Sequence, residues 1–107
     1  MKELRRGDRV SLEDGTLDVL LRIENDVMVR PDRTRLCVKA PLASVKRLFG
    51  PFDEVLVDGR ERRVVICYSG NQAYHCREEE HGTGCDFYAW QLTPLTAEAA
   101  FTAAVAL

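Results

Sequence analysis

The chain has 107 residues, of which 46% are hydrophobic and 30% are charged, and its net charge is -2. This length supports one compact domain or two very small barrels, and the balance of apolar and charged residues excludes a disordered chain. The N-terminus is charged and no long apolar run follows it, so we expect neither a signal peptide nor a membrane span and predict a cytoplasmic protein with reduced thiols.

The charge is divided unevenly between the two halves of the sequence. Residues 1–50 carry 11 basic and 8 acidic side chains, whereas residues 51–107 carry 4 and 9. The arginine-rich first half has no aromatic residue before Phe49 that could stack on a base, and the pI of the chain is about 5.7. We therefore expect a solvated surface or a head-to-tail contact rather than a nucleic-acid site.

Short strands joined by tight turns are predicted for the first half. Polar and apolar residues alternate from Gly7 up to a turn at Asp14-Gly15, which is typical of a half-buried strand. After Pro41, residues 41–49 fit one or two helical turns or an irregular connection. The further strands of this half are predicted at residues 19–23, 27–30 and 36–38.

Residues 62–92 are predicted to form two β-hairpins in series. A loop at Gly70-Asn71, which can take the positive φ of a tight turn, pairs Cys67 with Tyr74 and also pairs Tyr68 with Ala73. The same register places Cys76 opposite Val65, on the same face as Cys67.

The second hairpin closes around Glu80-His81 and is followed by a strand over residues 85–92. A short loop there sets Cys76 directly opposite Cys85.

The two halves of the sequence match each other with a period of roughly 45 residues. The matched segments are Asp8-Arg9-Val10 with Asp53-Glu54-Val55, Asp14-Gly15 with Asp58-Gly59, Val19 and Leu21 with Val64 and Ile66, and Asn25-Asp26 with Gly70-Asn71.

This succession of strands and Asp-Gly turns resembles small SH3-like barrels of the KOW or Tudor type over residues 7–48 and 52–95. The resemblance implies a mainly β fold with two tandem SH3-like half-domains, residues 1–49 and 50–107, which form one compact unit or a single domain 1–107. It carries over no functional residue, because the first half lacks the aromatic residues of a Tudor cage.

After Pro94, residues 96–107 predict a short C-terminal helix. Alanine is abundant there, Thr96 suits the N-cap and Glu98 lies near the positive end of the helix dipole. Its apolar stripe, which includes Phe101 and Val105, must cover another surface because so short a helix is marginal alone.

Three cysteines, Cys67, Cys76 and Cys85, recur every nine residues in the second half. On paired strands they could form a zinc site with His81 as the fourth ligand, although the tight Cys-x-x-Cys knuckles of most structural zinc sites are absent. Two other interpretations remain open: buried thiols that pack as small hydrophobes, and a disulfide or redox pair between Cys76 and Cys85.

The sequence favours a protein without catalytic activity. His75 cannot activate Cys76, because neighbouring strand residues point to opposite faces, which leaves His81 with Cys85 as the remaining thiol–imidazole combination. None of the nucleophile, phosphate-binding or metal-protease motifs that mark common enzyme classes occurs in the chain.

Aromatic side chains of the second half exceed what one small barrel can bury. Tyr68, Tyr88, Trp90 and Phe101 therefore predict either a homodimer interface or a groove for a small ligand or peptide. We expect a non-catalytic binding or assembly module that self-associates, with a zinc- or thiol-centred protein and a ligand-binding protein as the alternatives.

Overall fold

The computed structural model describes residues 3–24, 26–78 and 82–95. It divides the chain into two units, Met1–Gly50 and Pro51–Leu107, which we call unit 1 and unit 2. Each unit contains one five-stranded antiparallel sheet, so the protein is mainly β. The predicted C-terminal helix with Phe101, and the predicted ligand His81, lie outside the described residues.

Unit 1 holds the first five strands: β1 Arg9–Leu12, β2 Leu17–Ile23, β3 Val27–Pro31, β4 Val38–Ala40 and β5 Val45–Phe49. Their order in the sheet is β4-β3-β2-β1-β5, so the last strand returns to pair with the first. A 3-10 turn at Leu42–Ser44 precedes β5. The predicted helical turns over residues 41–49 are therefore wrong beyond this short turn, because the apolar residues of β5 are drawn into pairing with β1.

Unit 2 holds the other five strands: β6 Glu54–Val57, β7 Glu61–Gly70, β8 Ala73–Arg77, β9 Gly84–Tyr88 and β10 Leu92–Pro94. Their order is β10-β6-β7-β8-β9. Read from the β9 edge, this is the order of unit 1 with each strand number raised by five. A 3-10 turn at Ala89–Gln91 again precedes the last strand. The strand predicted over residues 85–92 is thus interrupted at Ala89, and Trp90 lies in the turn.

The first hairpins of the two units have the same register. Arg9 pairs with Val19 in unit 1, and Glu54 pairs with Val64 in unit 2. Both predicted Asp-Gly turns lie between the first two strands of their unit, and Gly15 has a φ of 87° and Gly59 a φ of 73°. Glycine suits these positions because it takes a positive φ without steric cost.

A β-bulge interrupts the second strand of each unit at the same place. The register shifts between Leu20 and Arg22 in β2, and between Val65 and Cys67 in β7. In unit 2 the extra residue is Ile66, so Cys67 pairs with His75. The shift places Cys67 and Tyr68 on the faces opposite to those that strict alternation from Val65 would give them. A second shift follows between Tyr68 and Gly70.

The structure overturns part of the predicted register of unit 2. Cys76 does lie opposite Val65, as the sequence predicted, and it also lies opposite Cys85. The predicted loop at Gly70-Asn71 is wrong, because Gly70 pairs with Ala73 and the turn lies at Asn71-Gln72. The predicted pairs of Cys67 with Tyr74 and of Tyr68 with Ala73 are wrong for this reason, and Tyr68 pairs with Tyr74 instead. Cys67 therefore faces away from Cys76.

The core of unit 1 combines apolar residues with buried charges. Arg9 is 1% exposed and its guanidinium donates to both carboxylate oxygens of Asp32, at 2.5 and 2.7 Å. Asp18 is equally buried, but neither of its side-chain oxygens has a hydrogen-bond partner in the described part of the chain. The apolar cluster that fills this core consists of Val10, Leu20, Val27, Val29 and Ala40.

Unit 2 buries an apolar and aromatic core. Tyr74 and Cys76 on β8 are fully buried, as is Val65 on β7. The ring of Tyr68 packs edge-on against Tyr74, with centroids 5.2 Å apart. Burial of these rings and β-branched side chains supplies the main stabilisation of the sheet. Within the described ranges, no helix is long and apolar enough to cross a membrane.

Candidate functional site

A row of three polar side chains crosses the face of the unit 2 sheet opposite to Tyr74 and Cys76. Cys67 on β7 pairs with His75 on β8, and His75 pairs in turn with Asp86 on β9. The Nδ1 atom of His75 lies 2.9 Å from Oδ1 of Asp86. The sequence did not indicate this row, because only the bulge at Ile66 brings Cys67 to the face of His75.

The imidazole of His75 is turned toward β9 and not toward the thiol. A Cβ atom added at Gly84 would lie 2.6 Å from Nε2 of His75, so the ring lies against the bare backbone of Gly84. Cys67 makes no side-chain hydrogen bond to His75 among the residues described. A nucleophilic thiol needs a base within hydrogen-bond reach, so the row is not arranged as a catalytic pair.

The sheet separates Cys67 from Cys76 and Cys85, the other two cysteines proposed as zinc ligands. Cys76 is buried and burial raises the pKa of its thiol to about 12, which disfavours the thiolate that binds metal. Cys85 is exposed opposite Cys76, whereas Cys67 lies on the other face. Over residues 3–24, 26–78 and 82–95, no three His, Cys, Asp or Glu side chains are grouped to hold a metal ion.

Of the four aromatic residues proposed to line one groove, the three that the structure describes do not share one face. Tyr68 lies on the Tyr74 face, where its hydroxyl accepts a hydrogen bond from the backbone N–H of Gln72 at 2.9 Å. Tyr88 pairs with Ala73 and lies on the opposite face. The ring of Trp90 stacks on Tyr88 with centroids 4.7 Å apart and an angle of 9° between the planes.

The 3-10 turn fixes this aromatic stack at the end of β9. The backbone N–H of Tyr88 donates to Oε1 of Gln91 at 2.9 Å, which closes a capping box around the turn. Tyr88 is nevertheless 52% exposed. Asp86 lies two residues earlier on the same face of β9, and we call Asp86, Tyr88 and Trp90 together the aromatic edge.

A shallow pocket of about 370 Å³ adjoins the aromatic edge. The pocket offers a carboxylate, an amide and an aromatic ring, groups that bind cations, amides and apolar side chains. It is lined by Ser69, Gly70, Asn71, Ala73, Asp86, Phe87, Tyr88 and Gln91.

The chain matches no protein-family model, and no curated protein is similar to it in sequence.

Proposed function

We propose that the protein is a non-catalytic binding and assembly module that self-associates, as a homodimer, through the aromatic edge of unit 2. The observation that carries this proposal is the stacked Tyr88–Trp90 pair, in which the Tyr88 ring is held in a fixed orientation and is about half-exposed. Tyrosine and tryptophan dominate the binding energy of protein interfaces, because they bury much apolar area with little loss of conformational entropy.

The free energy that favours association comes from burying apolar surface that is exposed to water in the single chain. Full burial of a large apolar side chain is worth about 1.5–3 kcal/mol, and half of Tyr88 is exposed in the single chain. Packing of Tyr88 and Trp90 against each other also reduces the entropy that a partner must remove on binding. A second copy of the chain would recover this energy at both aromatic edges of a symmetric dimer.

The proposal includes a fold of two tandem SH3-like half-domains related by an internal repeat. Its support is the shared strand order, the shared bulge position and the return of the last strand to the first in each unit. Because the four cysteines are free thiols, we also propose the reducing cytoplasm as its compartment.

The test replaces Tyr88 by asparagine and measures the oligomeric state by sedimentation and native mass spectrometry. We expect the wild-type protein to associate and Tyr88→Asn to shift toward monomer. Phe52→Asn is the matched control, because Phe52 is an exposed aromatic residue of the same unit outside the aromatic edge. A monomeric wild-type protein, or equal effects of the two substitutions, would overturn the proposal.

A second candidate function is binding of a small ligand or peptide in the pocket beside Tyr88. The pocket favours it because aromatic and polar groups converge there. In that case the wild-type protein is a monomer whose Trp90 fluorescence is unchanged on dilution and responds to a small aromatic compound or peptide.

A further inference from the structure

The outermost strands β4 and β9 occupy equivalent positions in the two sheets. Met28 pairs with Lys39 in unit 1, and His75 pairs with Asp86 in unit 2. Lys39 and Asp86 therefore have the same place on the edge of their sheet but carry opposite charges. The side chains of both residues are exposed.

The backbone of Asp86 is open on the outer edge of β9. The N–H of Ala89 donates to the carbonyl of Gln72, and the N–H of Glu78 donates to the carbonyl of Thr83. Hydrogen-bonded pairs alternate along an antiparallel ladder, so the N–H and C=O of Asp86 point away from β8.

The backbone N–H and C=O of Lys39 are likewise open on the outer edge of β4. The N–H of Glu24 donates to the carbonyl of Asp26, so the alternation directs the backbone groups of Met28 toward β2. Those of Val27 and Val29 then point toward β4, and the N–H and C=O of Lys39 point outward.

Both edges also carry exposed apolar side chains. Val38 on β4 is 43% exposed, and Leu36 just before it is 69% exposed. On β9 the exposed apolar residue is Tyr88. Open backbone N–H and C=O groups at a sheet edge are a template for pairing with another strand, and such pairing would cover part of these exposed apolar side chains. The charges of Lys39 and Asp86 restrict which strand can pair.

We propose that β4 of one copy of the chain pairs antiparallel with β9 of a second copy, with Lys39 opposite Asp86. This inference rests on the proposed self-association and specifies its contact. In this register Lys39 and Asp86 form a hydrogen-bonded pair and exchange both backbone hydrogen bonds. Val38 then lies opposite Phe87, and Tyr88 becomes a diagonal neighbour of the Lys39 ammonium, which suits a cation–π contact.

Charge selects this pairing over pairing of like edges. Two β9 strands centred on Asp86 would place two carboxylates opposite each other, and two β4 strands centred on Lys39 would place two ammonium groups together. Like charges directly opposite are destabilising in a sheet. The basic excess of residues 1–50 and the acidic excess of residues 51–107 favour the same choice, because complementary charge steers association.

The experiment uses charge reversal in the full-length chain, with sedimentation velocity at low salt as the measurement. Lys39→Glu and Asp86→Lys are each expected to weaken association at least about tenfold when studied alone. Mixing the two variants should restore association, because Lys39 of one then meets Asp86 of the other. The double variant K39E/D86K should associate like the wild-type protein.

Two controls separate this contact from general damage. Lys46→Glu makes the same change on β5, at the other edge of the unit 1 sheet, and should leave association unchanged. Asp86→Asn retains an oxygen acceptor for His75, so it tests the charge even if Asp86→Lys does not fold. We expect it to weaken association with an unchanged circular dichroism spectrum.

The oligomeric states of the wild-type protein and of the Lys39→Glu variant test self-association and the β4–β9 contact separately. If the wild-type protein is monomeric, self-association itself fails and this inference fails with it. If the wild-type protein associates but Lys39→Glu does so equally well, the β4–β9 contact is wrong while association through Tyr88 stands. Failure of the mixed variants to associate would likewise overturn the contact.

Discussion

The two units place different chemistry at the same positions of one strand arrangement. Arg9 in unit 1 corresponds to Glu54 in unit 2, and Asp18 corresponds to Arg63. Arg9 and Asp18 are buried, whereas Glu54 is about half-exposed and Arg63 contacts two glutamates. The comparison shows that strand order and turn positions tolerate a reversal of charge, and that the surroundings of the charged groups differ between the units.

The same contrast extends to the outer faces of the sheets. The row equivalent to Cys67, His75 and Asp86 consists in unit 1 of Arg22, Met28 and Lys39. Unit 1 thus presents cations beside a flexible thioether, while unit 2 presents a carboxylate, an imidazole and a thiol. The edge strands β4 and β9 therefore carry side chains of opposite charge, Lys39 and Asp86, at equivalent positions.

The largest effect is expected from breaking the buried ion pair between Arg9 and Asp32 in unit 1. Asp32→Ala leaves the Arg9 guanidinium buried without its carboxylate and should lower the free energy of unfolding by about 3 kcal/mol. Glu54→Ala removes the partner of an exposed arginine, Arg62, at 2.9 Å and should cost less than about 1 kcal/mol. Chemical denaturation of both variants measures the difference, and equal losses would contradict a special role for the buried pair.

The sequence predicted the features that depend on local conformation. Both Asp-Gly turns were predicted correctly because glycine is needed where φ is positive. Cys76 lies opposite Val65 as predicted, although the turn is at Asn71-Gln72, because the two register shifts of β7 offset the displaced turn. The bulge itself could not be predicted. Residues on both sides of Ile66 are apolar, so a shift of one position leaves the hydrophobic pattern of the strand almost unchanged.

The candidate site was therefore only partly predictable. Tyr88 and Trp90 were identified from their excess of apolar surface, but Asp86 and His75 were missed because their partnership depends on strand register. Tyr68 was placed on the wrong face for the same reason. The amino-acid composition reveals a surplus of aromatic residues. The contact between His75 and Asp86 depends instead on which residues β8 and β9 place opposite each other.

An intermediate effect is expected where unit 2 needs a glycine and unit 1 does not. Gly84 corresponds to Cys37, but a Cβ at Gly84 would lie 2.6 Å from Nε2 of His75 and 3.0 Å from Cγ of Arg77. Gly84→Ala should therefore displace the partly exposed His75 ring from Asp86 and destabilise the protein by about 1 kcal/mol.

The position of the His75 ring can be followed by its NMR signals, and stability by thermal unfolding. His75→Ala removes the obstructing ring, so the double variant H75A/G84A should lose much less stability relative to H75A than Gly84→Ala loses relative to wild type. Additive losses would show that the ring is not the obstacle.

The smallest effect concerns Asp18, a buried carboxyl of unit 1. Burial raises the pKa of Asp18 in the folded protein, so the folded state binds this proton more tightly than the unfolded state. Stability is then lost as the pH rises through the interval between the two pKa values. Asp18→Asn removes the titrating group and should raise the melting temperature by a few degrees at pH 7, with the gain shrinking as the pH falls toward about 3.9, the ordinary pKa of an aspartate.

Asp14 provides a control of opposite sign for this pH dependence. Thr16 donates to its carboxylate through both the hydroxyl, at 2.7 Å, and the backbone N–H, at 3.0 Å, and these bonds lower the pKa of Asp14. Asp14 therefore stabilises the fold above its unfolded pKa and loses that contribution as the pH falls through the folded pKa. Asp14→Asn should lower stability at neutral pH, whereas Asp18→Asn raises it, and melting curves between pH 3 and 7 that moved in the same direction would contradict the different surroundings of these two carboxyls.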